Sequence, residues 1–120
     1  MRPEKIQIED FEKHFPQLIQ KGSIEINEGW FDLLWDMCEQ LIAARNSQGI
    51  LISDLNPLYF TQIKQKFGVL RVYACTSTRE DEQIIEMFED MSQFVCEVCG
   101  DAGSIRGKHW LYTACDAHTN

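Results

Sequence analysis

Residues 96–118 read CEVCGDAGSIRGKHWLYTACDAH, and this stretch decides the fold of the last quarter of the chain. The pattern is C-x2-C, fifteen residues, then C-x2-H. Two ligands two residues apart reach one ion from a tight knuckle, and Gly100 directly after Cys99 permits the turn. A second pair, Cys115 and His118, completes a tetrahedron around Zn²⁺. Between the pairs, Gly103 and Gly107 supply turns, and Trp110, Leu111 and Tyr112 form an apolar run suited to a small hairpin. The spacing predicts a treble-clef-like or zinc-ribbon-like unit over residues 96–120, packed on an acidic α+β domain over residues 1–95. His109 is the alternative to His118 as fourth ligand and is expected to point outward. The competing readings are a disulfide and a redox dithiol. Cytoplasmic chains rarely keep disulfides, and a redox C-x-x-C belongs to a thioredoxin-like context that the preceding acidic stretch does not supply.

Three thiolates and one imidazole fill all four positions of a tetrahedral ion, whereas catalytic zinc keeps one position open. A zinc deaminase needs H-x-E ahead of P-C-x-x-C; Val95 precedes Cys96 and no H-x-E occurs. There is no P-loop, G-x-S-x-G or H-E-x-x-H motif. The expectation is one structural Zn²⁺ and no enzymatic activity. By analogy with zinc-finger peptides, the ion contributes on the order of 10 kcal/mol to folding the tail. Trp110 and Tyr112 can stack a base, or one of them plugs the small core.

Upstream, residues 29–46, GWFDLLWDMCEQLIAARN, read as the strongest helix. Its apolar arc spans roughly 200°, wider than the stripe of about 100° that a surface helix needs. Such a helix is packed on two sides or shows aromatics, Trp30 and Trp35, to a partner. Cys38 in that arc reads as a small core residue. Residues 9–21 read as a shorter helical region interrupted at Pro16, with His14 on its surface or edge. Residues 58–75 read as two strands around Phe67-Gly68. Ile63, Leu70 and Val72 share the core face. Lys64, Lys66, Arg71 and Tyr73 share the other, a solvated strand face or a phosphate contact. Phe at the first turn position is poor chemistry for a type I′ turn.

Residues 79–95, REDEQIIEMFEDMSQFV, read as an amphipathic helix with a capping box at Ser77 and Glu80. Ile84, Phe88, Met91 and Val95 are expected to face inward, with Ile85, Met87 and Phe94 widening the stripe. Glu80, Asp81, Glu82, Glu86, Glu89 and Asp90 form the polar face. This row either serves solubility or imitates a phosphate backbone. The fold class is α+β: helices around a short antiparallel hairpin, with the metal unit at the end.

The chain has 120 residues and a formal net charge of −8, with 19 acidic against 11 basic residues. Phosphate binding is driven by Lys and Arg, so a general nucleic-acid binder is disfavoured. An acidic chain also suits a partner with a basic surface. MRPEKIQIED has no apolar stretch resembling a signal peptide, and charges break every apolar run short of a membrane span. A soluble cytoplasmic protein is the expectation.

GWFDLL, QIKQKFGVLRVY and CEVCG…W…TACDAH together resemble a group of small bacteriophage and prophage proteins without an assigned activity. These carry a Gly-Trp-aromatic helix start, a K-x-K-F-G-x-L-R hairpin and a terminal C-x-x-C-G…C-x-x-H. The resemblance covers residues 29–118 and departs at Val69, where a second glycine is expected. It implies phage origin and zinc. By association it also implies inhibition of a host enzyme or defence system, such as a nuclease or a CRISPR complex. The candidate partner surface is Glu82, Glu86, Glu89 and Asp90 with Trp30 and Trp35. The alternative is a nucleic-acid-binding regulator using Lys64, Lys66, Arg71, Arg106 and Lys108.

Overall fold

The helix that the aromatic pattern marks out is the spine of the molecule. In the computed structural model, which describes residues 2–120, helix α2 spans Phe31–Gln48. The first two residues of the expected helix, Gly29 and Trp30, lie in a 3₁₀ turn, Glu28–Trp30, instead. Gly49 closes α2 in the left-handed region at φ 72°, where glycine has no Cβ penalty. Phe31, Leu33, Leu34, Trp35, Met37, Cys38 and Leu41 are buried. The wide apolar arc is therefore core on two sides. Trp30 and Trp35 are 0% and 2% exposed, so neither belongs to a partner surface. Burial also pushes the Cys38 thiol up, consistent with a packing residue.

Helix α1, Ile8–His14, supplies one side of that packing. Phe11 and Phe15 meet the Trp35 ring at 5.5 Å and 4.8 Å between centroids. Exposed His14 lies edge-on to it at 5.0 Å. The expected helix over 9–21 ends here because the residue before a proline is driven out of the α region; Phe15, before Pro16, sits at φ −127°, ψ 55°. Leu18 and Ile19 then turn to the sheet edge, where the Phe60 N–H donates to the Leu18 carbonyl at 2.8 Å.

The main sheet has the order β1-β2-β3, from β1 (Ile24–Glu25), β2 (Leu58–Lys66) and β3 (Val69–Thr76). Strand β1 runs parallel to β2. Strands β2 and β3 form the hairpin, pairing Ile63 with Val72, Lys64 with Arg71 and Lys66 with Val69. Ile63, Leu70 and Val72 are buried as expected. Phe67 and Gly68 occupy the turn with φ 55° and 81°, the paired positive angles of a type I′ turn. The turn forms despite Phe67, and Gln65 Oε1 accepts the Gly68 N–H at 2.8 Å.

Helix α3 spans Arg79–Met91 and continues as a 3₁₀ turn, Ser92–Phe94. Thr78 caps it, accepting the Asp81 N–H at 3.1 Å. The cap falls one residue after the expected Ser77, whose hydroxyl accepts instead from Arg45. The inward row is Asp81, Ile85, Phe88 and Ser92, a helical i, i+4, i+7, i+11 series. Met87 and Met91 are half exposed and Phe94 is 69% exposed, against the expectation that they join the core.

A buried carboxylate sets that phase. Asp81 and Arg45 form an ion pair at 2.8 Å with side chains 1% and 2% exposed. The guanidinium also donates to the carbonyls of Ile50, Asn56 and Pro57, so it ties the loop after α2 to α3. Thr76 Oγ1 donates to Asp81 at 2.6 Å. A buried pair persists only when its remaining donors and acceptors are satisfied, and here they are. Helix α3 also covers the free edge of β3. The Leu70 N–H donates to Ser92 Oγ at 2.9 Å and the Val72 N–H to Glu89 Oε2 at 2.9 Å. An open strand edge invites aberrant pairing, and these side chains occupy it.

Two short strands follow, β4 (Ser104–Arg106) and β5 (Tyr112–Ala114), paired antiparallel. Among the described residues, no helix is long and apolar enough to cross a membrane.

Candidate metal centre

The knuckle starts where the 3₁₀ turn after α3 ends. The Cys96 N–H donates to Asp101 O at 2.8 Å, and the Gly100 N–H to Cys96 O at 2.9 Å. Gly100 has φ 86°, the left-handed angle that the knuckle requires. On the other side, β5 delivers Cys115, and a 3₁₀ turn, Asp116–His118, brings His118 back. Arg106 braces this closure by donating to Ala114 O and Asp116 Oδ1, both at 2.9 Å.

Cys96, Cys99, Cys115 and His118 come together with their ligand atoms all within 4.8 Å of one another. Cys99 Sγ and Cys115 Sγ are 3.7 Å apart. His118 Nδ1 is 3.2 Å from Cys115 Sγ and 3.7 Å from Cys96 Sγ. A tetrahedral ion with bonds to sulfur of about 2.3 Å holds its sulfurs about 3.8 Å apart. A disulfide brings them to about 2.0 Å, which the 3.7 Å separation excludes for this arrangement. The donors fit one four-coordinate ion. His109 is exposed and stands outside the cluster, so His118 is the fourth donor.

The electrostatics favour a cation. Burial works against the Cys96 thiolate, but N–H groups of Cys115, Cys99 and Val98 overcome it and lower the thiol to about 6. The Asp101 N–H lowers the Cys99 thiol, but desolvation and competition with Cys115 and Cys96 outweigh it and push it up to about 11. Three thiolates so close together repel one another, and a bound cation removes that penalty.

Sequence reasoning missed how the unit is seated. Gly29 lies directly under it. A Cβ at Gly29 would fall inside the backbone of Cys96 and Glu97, so no other residue fits at this crossing. The Gly29 N–H donates to Glu97 O at 2.8 Å, and Trp30 Nε1 donates to Val95 O at 2.8 Å. The side chain of Glu97, 8% exposed, accepts the Asn27 N–H at 3.1 Å. Burial raises the Glu97 carboxyl, partly offset by that bond. The hairpin tip is joined too, since Thr113 Oγ1 donates to Gly68 O. The signal available in sequence was the glycine before Trp30 and the acid inside the knuckle.

The other expected site residues scatter. Glu82, Glu86 and Asp90 are exposed on α3, whereas Glu89 is half-buried against β3. Burial raises its carboxyl, with the Val72 N–H and Arg71 acting the other way. Lys66 and Arg71 are exposed, and half-buried Lys64 lies 5.6 Å from the Tyr73 ring centroid. Lys108 is exposed, while Arg106 is committed within its own hairpin. Tyr112 packs on the small core of Cys96, Ala114 and Cys115, leaving Trp110 78% exposed. Comparison with protein-family models, curated proteins and solved structures finds no match for the chain.

Proposed function

We propose that this chain is a non-enzymatic binding protein of phage or prophage origin, working in the host cytoplasm. One structural Zn²⁺ holds its C-terminal, treble-clef-like unit. It acts by covering a basic surface on a host protein, such as a defence nuclease or a CRISPR complex. The donor set supports the structural role, because Cys96, Cys99, Cys115 and His118 supply four protein ligands and leave no position for water or substrate.

The observation that carries the binding reading is the outer face of α3. Glu82, Glu86 and Asp90 are exposed, and among the described residues none is in an ion pair. The helix beneath them is fixed by the buried Arg45–Asp81 pair, so the carboxylates are presented on a rigid element. The test is affinity capture from nuclease-treated bacterial lysate with the native chain and with the Glu82→Lys, Glu86→Lys, Asp90→Lys variant. One stoichiometric host protein, retained by the native chain and lost with the variant, supports the reading. Equal retention by both contradicts it.

A second reading, a nucleic-acid-binding regulator, is favoured by the outer face of the hairpin. Lys64, Lys66 and Arg71 share that face in the observed register, and Lys108 adds an exposed cation from the metal unit. A gel shift with a steep salt dependence supports it; no shift at low salt ends it.

A further inference from the structure

The tip of the hairpin and the loop of the metal unit enclose a cleft of about 310 Å³, lined by Gln65, Lys66, Phe67, His109, Trp110 and Leu111. Two of its walls are aromatic rings that the fold leaves in solvent. Phe67 is 66% and Trp110 78% exposed. Phe67 is also the sole non-glycine among the described residues with a positive φ. A bulky side chain there is an outlier, since Gly or Asn ordinarily fills the position. Such strain concentrates at functional sites. The ring stands outside the hydrophobic core, and Lys66 Nζ lies 5.7 Å from its centroid.

The charge around the cleft runs opposite to that of the chain. Lys66 lines it and Lys108 adjoins His109. Lys64 and Arg71 continue the cationic track along the sheet face toward exposed Tyr73. Asp116, in the same C-terminal unit, is paired with Arg106. Alternating rings and cations beside a slot of this size match the pattern that holds single-stranded nucleic acid. There, bases stack on aromatic faces and cations follow the backbone.

We infer that the Phe67–Trp110 cleft takes one unstacked nucleobase of a single-stranded nucleic acid, with Lys66 and Lys108 on the flanking phosphates. The inference rests on the nucleic-acid reading and is independent of the acidic face of α3. Readout comes from the protein itself. Trp30 and Trp35 are buried, so Trp110 is the indole that a ligand can quench.

The test is titration of the metal-loaded full chain with 12-nucleotide single strands of DNA and of RNA, and with the matching duplex, at low and raised salt. Tryptophan quenching is followed alongside anisotropy of the labelled strand. The expected result is quenching by single strands ahead of duplex, with affinity falling as salt rises. Trp110→Ala and Phe67→Asn should each weaken binding roughly 5- to 100-fold. Both sites are exposed, and Asn suits the left-handed turn position, so metal content and melting should remain native-like. Binding that survives both substitutions would overturn the cleft while leaving the nucleic-acid reading in place. No binding at low salt would overturn both. A protein ligand that competes for Trp110 while nucleic acid does not bind would also overturn the inference.

Discussion

Two polar clusters stand out in this molecule, the candidate metal centre and the buried Arg45–Asp81 pair, and they differ in how far they can be read from sequence. The metal centre gathers four donors from 23 residues of chain, and its spacing announces it. The Arg45–Asp81 pair joins residues 36 apart, and nothing in the sequence marks either residue. Both lie beside segments that bury little apolar surface of their own. The metal unit has a core of Cys96, Ala114 and Cys115 with Tyr112 against it, too little to fold alone. The loop over residues 49–57 carries exposed Leu51 and Leu55 and is held by its carbonyls on Arg45. A metal staple concentrates its free energy in one ion. A guanidinium staple distributes it over several hydrogen bonds and is costly only when half of it is removed.

Breaking the first staple should have the largest effect. Chelation, or Cys115→Ser, is expected to unfold residues 96–120, forfeiting on the order of 10 kcal/mol of metal-linked folding free energy. Because Trp30 Nε1 and the Gly29 N–H are bonded to Val95 and Glu97, tryptophan fluorescence should report the loss. Breaking the second comes next. Asp81→Ala leaves Arg45 buried without its carboxylate and should cost about 3–5 kcal/mol in urea unfolding. Replacing both residues by well-packed apolar ones should recover much of that, since the pair itself is weakly stabilising against an apolar equivalent.

The seat between the two regions is the third target. Gly29→Ala forces a methyl group into the Cys96–Glu97 backbone and should destabilise by about 1–3 kcal/mol, as overpacking does. Its fold loss should exceed that of Gly22→Ala, where a Cβ meets open space and the only cost is the backbone strain of a φ of 80°.

The smallest effect concerns Glu89. Burial raises its carboxyl in the folded state, so the native state holds that proton more tightly than the unfolded chain does. Ionisation at neutral pH therefore opposes folding. Glu89→Gln keeps an oxygen for the Val72 N–H and should stabilise by under about 1 kcal/mol, because solvent screens the half-exposed group. The gain should be present above the raised folded value and vanish as pH falls below the unfolded one, near about 4.3. Melting curves of both proteins across that range check the sign.

Local pattern carried as far as local physics does. The hairpin face of Ile63, Leu70 and Val72 and the ligand quartet follow from alternation and spacing, and both are found in place. Apolar count alone phases α3 with Met91 inward; pairing with Arg45 turns Asp81 inward instead. Periodicity assigns carboxylates to solvent by default, and the partner that overrides it lies on another helix. The same default makes Glu89 a surface charge, yet it satisfies a strand edge. The breadth of the apolar arc on α2 left open whether Trp30 and Trp35 were core or interface, and only the packing of α1 and the metal unit over them decides it.

Whether the Cys₃His site is closed around an ion is decided by an X-ray absorption spectrum of the purified, metal-quantified full chain. The expected result is one zinc per chain with three sulfur neighbours at about 2.3 Å and one nitrogen at about 2.0 Å. An oxygen ligand in the first coordination sphere, or a chain isolated with Cys99 and Cys115 joined as a disulfide and no metal, would contradict it.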